Sequence, residues 1–330
     1  MPQTDDIYPR YGSANTGSFK VIEELSPASR ANCFHAISLV LVVLSLVPRE
    51  SLGQDLEPRR WTPLPPGLNV VGMGYIRTDG DIAFDPVLNV QDASVEGDTL
   101  MVSYVRSFKV GEKHVRLDAL LPWADLRWDG LLEGEPATVS RTGLADPYVR
   151  LSVVLAGAPA SASVLPAQSN TVIGASLGIV VPLGEHFEDK LLNLGQNRFI
   201  VRPQVGVLHT RGQWSYELSA STFLYEDNDD FFGGRLLEQD PLFATQAHLI
   251  RQFDRRGYWA SLSVGYAWDG ASTVDGVEKN DKKRLILAAA TFGIPIGSQQ
   301  GLKFGYIRHR TNTDTGGDLD SIAVAWSLRF

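Results

Sequence analysis

The chain holds a single cysteine, Cys33, in 330 residues, which excludes an intrachain disulfide and any multi-cysteine metal centre. Long apolar runs are equally scarce. Residues 36–47 form the only one, and a helix needs about 20 such residues to cross a bilayer, so a polytopic helical membrane protein is excluded. Dense Lys/Arg tracts are missing too. With a formal charge of −8 and a pI of about 5.3, the chain lacks the electrostatic footprint of a nucleic-acid binder. The sequence shows no glycine-rich phosphate loop and no zinc-ligand spacing, so neither a cofactor nor a metal is implied.

The one apolar run, AISLVLVVLSLV, suits the core of a secretory leader. Arg30 precedes it, and Ser51-Leu52-Gly53 follows with small residues at the first and third positions. Cleavage is expected after Gly53, which makes residues 30–53 the leader and residues 54–330 the mature barrel, beginning at Gln54. A buried core helix is the weaker reading, because Pro48-Arg49-Glu50 breaks the run at once. Residues 1–29 are polar, rich in Pro and Ser and aperiodic; they read as a disordered extension or the product of a misplaced start codon.

The mature chain shows no helical period over any long window. Segments of about ten residues instead alternate apolar with small or polar side chains, separated by turn signals. Twelve are predicted, at 67–78, 98–109, 114–125, 146–156, 171–182, 198–209, 213–225, 242–253, 257–268, 284–295, 301–311 and 320–330. About 9–11 residues is what a tilted strand needs to cross a bilayer. Tight turns at 111–113, 211–212, 255–257 and 297–301 alternate with long polar connections; the long link 157–170, rich in Ala, Ser and Pro, breaks the rule. Outer-membrane barrels pair short periplasmic turns with long external loops and carry an even strand number. The expected fold is therefore all-β, a transmembrane antiparallel up-and-down barrel of about 12 strands in the outer membrane of a Gram-negative bacterium.

In the last segment Ile322, Val324, Trp326, Leu328 and Phe330 share one face, and Ser321, Ala323, Ala325, Ser327 and Arg329 the other. A soluble sandwich would bury the bulky face, whereas a barrel turns it to lipid. The aromatics favour the barrel. Phe108, Trp214, Tyr216, Phe253, Tyr258 and Trp259 flank the short turns, and Trp123 and Trp268 lie near the opposite strand ends. Two such belts suit the two membrane interfaces. Trp326, Leu328 and Phe330 also resemble the C-terminal signal read by the barrel-insertion machinery.

Several blocks resemble the outer-membrane transporter family named for the meta-pathway of phenol degradation. They are DLEPRRW at 55–61, GLLEGEPATVSRTG at 130–143 with Ala145-Asp146-Pro147, DKLLNLGQNRF at 189–199 and ATQAHLI at 244–250. The resemblance covers most of residues 54–330. It implies an outer-membrane barrel with a transporter role.

With the bulky faces turned outward, the opposite faces place candidate lumen-lining groups. These are Arg116, Asp118, Tyr148, Arg150, Arg202, Gln204, Glu217, Gln246, His248, Lys303 and His309. Mixed charges in a pore orient polar or anionic solutes; the plainer expectation is that they pair with one another and fill the lumen. The expected function is passive uptake of small, aromatic or hydrophobic compounds, with outer-membrane lipid, lipopolysaccharide and the insertion machinery as partners. A structural or adhesion barrel with a plugged lumen is the alternative. A lipid-modifying enzyme ranks third, since no spacing singles out a nucleophile among the many serines. The acidic run 226–230 lacks the spacing of a calcium loop and reads as a solvated external loop.

Overall fold

Alternation of bulky and small side chains dictates extended backbone, and short glycine turns dictate antiparallel neighbours. The computed structural model of the chain describes residues 56–84, 90–157, 170–253 and 257–330. The expected leader, Cys33 and the cleavage site at Gly53 lie outside them. The strands are β1 (Asn69–Ala83), β2 (Val90–Val110), β3 (Lys113–Leu132), β4 (Glu135–Leu144), β5 (Tyr148–Ala156), β6 (Asn170–Val180), β7 (Ile200–Arg211), β8 (Trp214–Tyr225), β9 (Asn228–Phe231), β10 (Arg235–Gln239), β11 (Leu242–Gln252), β12 (Trp259–Asp269), β13 (Ser272–Val274), β14 (Val277–Glu278), β15 (Lys283–Ile296), β16 (Gln300–Thr311) and β17 (Gly316–Arg329).

Twelve of them, all but β4, β9, β10, β13 and β14, close into an antiparallel barrel through the β1–β17 and β2–β3 pairings. Every predicted segment corresponds to a barrel strand. The barrel carries a hairpin extension, β4 on β3, and a separate small sheet in the order β14-β13-β10-β9 built from two external connections. The acidic run is therefore more than a solvated loop. Asn228–Phe231 form a strand of that sheet, with Asn228 and Phe231 buried.

Several strands outrun their predicted lengths. β2 and β3 extend to residues 90 and 132, and the connection between β16 and β17 shrinks to residues 312–315. Beyond the hydrocarbon layer the outer face needs no apolar residues, so the alternation that marks a strand gives way to ion pairs. Arg77 meets Asp98 at 3.1 Å and Glu96 at 2.7 Å, and Arg127 meets Asp129 at 2.7 Å.

The outer wall is apolar and bare. Leu262 is 64% exposed, Ile322 62% and Met73 60%, within a band that covers most of the circumference. Exposed apolar area costs about 25 cal/mol per Å² in water, so such a band belongs in lipid. Trp214, Tyr216 and Phe253 are exposed beside the short turns, and Trp123 and Trp268 near the other end, where Trp268 stacks with Phe243 and Tyr266. Trp259 corrects the predicted belt. Its indole turns inward and lies over Gly293 on β15, where a Cβ would stand 2.0 Å from Nε1. Trp259 shares the inward face of Ser261 and Ser263, and the hollow at the glycine accommodates its ring.

Candidate functional site

The barrel is wide enough to admit a peptide, and the residues before β1 enter it. On the inward face, Gly174, Gly206, Ser219, Gln246 and Gly265 lie side by side in register across β6, β7, β8, β11 and β12. Small side chains at that level leave a hollow. Trp61 fills it, buried to 3% exposure, with its indole against Gly174 and Gly206. Its Nε1 donates to Ser219 Oγ at 2.8 Å. Leu56 packs against Gly265 and joins a buried cluster that includes Ile200, Phe223, Leu242 and Leu285.

Polar contacts hold the same segment. The Glu217 carboxylate accepts the backbone N–H groups of Arg59 (2.7 Å) and Trp61 (2.5 Å), serving a turn where Arg59 has a positive φ of 69°. Arg60 donates to Asp118 at 2.9 Å and also to Ser152. Glu57 pairs with Arg150 at 2.7 Å. Burial alone would raise the Glu57 carboxyl, but Arg150, with Arg60 and Arg116, outweighs it and holds the group well below the usual carboxylate range. Ser107 on β2 accepts Gly67 N–H through its carbonyl and donates its hydroxyl to Pro65, which leads the chain out to β1.

The predicted lumen residues divide into two groups. Asp118, Arg150, Arg202, Gln204, Glu217, Gln246 and His248 are all buried, and Arg116 and Tyr148 are partly buried. Arg116 donates to Asp118 at 2.8 Å through Nε. The Tyr148 ring lies over Gly178, which is in register with both Arg150 and Arg202. Arg202 sits 4.6 Å from the centre of the Phe223 ring, and Gln204 accepts a hydrogen bond from Ser176. His248 Nδ1 lies 2.8 Å from Ser263 Oγ. Lys303 and His309 stand apart on β16, Lys303 exposed and His309 half-buried.

Glu57, Arg60 and Trp61 were absent from the predicted set. The charged wall residues do not simply pair among themselves: Asp118, Arg150 and Glu217 each reach a residue of the inner segment. The available signal was the repeated Gly and Ser at one level of three adjacent strands. It marks a hollow but does not name its occupant.

A closed antiparallel barrel with an apolar exterior and a charged interior is a transmembrane barrel of the outer membrane. The chain belongs to the family described as "Putative MetA-pathway of phenol degradation", whose model matches residues 78–317. Among solved structures it is similar to an outer-membrane channel from Pseudomonas putida F1, with 19% identity over 84% of this chain and 100% of that one, at a TM-score of 0.70. The likeness is one of fold. Weaker likenesses include the β domain of the Bordetella autotransporter BrkA (9% identity, 80% of this chain and 100% of that one, TM-score 0.43). The monoaromatic hydrocarbon channel CymD follows at 8% identity, 81% and 89% coverage and a TM-score of 0.40. No curated protein matches the chain.

Proposed function

We propose that the protein is a passive outer-membrane channel for small aromatic or otherwise hydrophobic compounds. One observation carries this reading: the inner segment covers only one side of the lumen. Inward residues of β5 to β12 such as Ser152, Gln204, Ser219 and Ser263 are buried. Those of β16, β17 and β1, including Gly74, Gly305, Ala323, Ala325 and Ser327, keep partial exposure inside the barrel. A smooth wall of Gly, Ala and Ser leaves room for a planar ring. Interiors of eight-stranded barrels are filled and those of about 16 strands hold open water channels, so a narrow path suits twelve. The family and the channel from P. putida, described as such, point the same way. Purified protein in a planar bilayer is expected to give discrete conductance steps, and liposomes carrying it to admit small phenols faster than empty ones. Absence of both would sink the channel.

The anchored segment favours a second reading, a barrel kept shut for a structural role, and the same recording separates the two. Catalysis is not part of the proposal. His248 and Ser263 are bonded, but both oxygens of neighbouring Glu217 are taken by the backbone of the inner segment. Lipid and lipopolysaccharide around the wall, and the insertion machinery at Trp326, Leu328 and Phe330, are the proposed partners.

A further inference from the structure

The open wall and the covered wall differ in charge. On the covered side the lumen carboxylates are engaged: Glu57 with Arg150, Asp118 with Arg60 and Arg116, Glu217 with two backbone N–H groups. On the open side the register fixes which residues face inward. Pairing of Val70 with Arg329, Gly72 with Ser327, Gly74 with Ala325 and Ile76 with Ala323 places these on the lumen face of β1 and β17. Val105, Ser103 and Met101 continue that face onto β2, and Gly301, Lys303 and Gly305 onto β16. Asp79, Asp98, Glu96, Asp318 and Asp320 all fall on the opposite, outer face of these four strands. No Asp or Glu faces inward from β1, β2, β16 or β17 among the described residues.

Cations do face inward there. Lys303 is exposed on β16, and Arg329 is exposed at the end of β17. Arg59 of the inner segment reaches toward the same end, its guanidinium 5.2 Å from the centre of the inward-turned Trp259 ring and close enough to Arg329 for mutual repulsion. Lys303 is itself in register with Gly293, the residue beneath that indole. The open side of the lumen thus ends on three cations beside an aromatic ring, although the whole chain carries −8.

We infer that the path along β16, β17, β1 and β2 selects organic anions, and that its solutes are small aromatic carboxylates, the ring on the Gly/Ala wall and the carboxylate at Lys303, Arg329 and Arg59. This rests on the channel reading above and sharpens its substrate class. Although Glu217 lies within electrostatic reach of Arg59, cations remain in excess at this end, and an excess of one sign in a constricted, low-dielectric path attracts counter-ions and excludes ions of the same sign.

The test is a planar-bilayer recording of the full protein in a potassium chloride gradient, followed by addition of benzoate or its neutral isostere benzamide. The reversal potential is expected to favour chloride over potassium severalfold. Benzoate is expected to reduce the chloride current reversibly at concentrations where benzamide does not. K303Q/R329Q is expected to lose most of both effects while keeping its shift on an unboiled gel; K303E/R329E is expected to favour potassium. Cation preference, no preference, or equal block by the two probes overturns the anion assignment and leaves the channel intact. A complete lack of conductance instead removes the channel reading itself.

Discussion

Trp61 and Gly206 meet so closely that a Cβ on Gly206 would lie 2.0 Å from the indole Nε1. The contact is with the ring of a buried, hydrogen-bonded side chain, so the clash cannot be relieved by a small shift. Gly206→Val is therefore expected to unseat the inner segment without harming the wall, since β-branched residues suit strands. Conductance in a planar bilayer should rise and become noisier, while the folded band on a gel stays. Unchanged conductance would show that the segment does not limit flow.

Glu217→Ala removes the acceptor of two buried backbone N–H groups, each of which costs about 1–3 kcal/mol when left unsatisfied. Hydrogen exchange at the Arg59 and Trp61 amides is expected to accelerate, by about tenfold for each 1.4 kcal/mol lost. Strand amides of β7 and β8 should exchange as before. Uniform acceleration across the barrel would mean that Glu217 supports the wall and not the segment.

The sign of the acid response follows from Glu57. Its carboxyl lies below its unfolded value because Arg150, Arg60 and Arg116 surround it. A group lowered on folding contributes stability above its unfolded pKa, about 4.3 for Glu, and loses it only as the pH falls through the folded value. The Glu57–Arg150 contact should thus hold between neutral and mildly acidic pH and break only in strong acid. Glu57→Gln should abolish that acid step. Conductance and exchange followed against pH in both proteins check this, and an acid step that Glu57→Gln leaves unchanged would contradict the assignment.

Wall orientation has its own test. Leu262→Arg puts a charge on the lipid face at a cost of about 2–4 kcal/mol near the bilayer midplane, and should lower refolding yield into liposomes. Ala325→Arg, one residue from the outward Val324 and Trp326, points into the lumen. It should refold normally and reduce solute flux. Equal losses for both would refute the assigned faces.

The sequence made the barrel strands legible because each side of the wall enforces a period of two: lipid demands bulk, the crowded lumen demands small or polar groups. The same period is the basis for turning residues such as Glu217 and His248 inward. It failed where those pressures lapse. Residues 56–68 carry four prolines, at 58, 63, 65 and 66, and no alternation, since the segment is held by hollows and charges on distant strands. The short strands of the external sheet, such as Asn228–Phe231, are largely polar and look like loop. Trp259 shows a third limit. Its position by the turn suggested an interface ring, but it shares the face of Ser261 and Ser263, and the glycine across from it on β15 gives the ring room there.

The seam between the first and last strands is 14 residue pairs long, and beyond it Asn69 and Phe330 exchange backbone hydrogen bonds at 2.9 Å. Its two halves are the most distant parts of the barrel along the chain. Without β17 the first strand would have no partner on that side, so the wall closes only when residues 316–329 are in place. Because residues 56–68 lead directly into β1, the strand that closes the circle is also the one that tethers the inner segment to it.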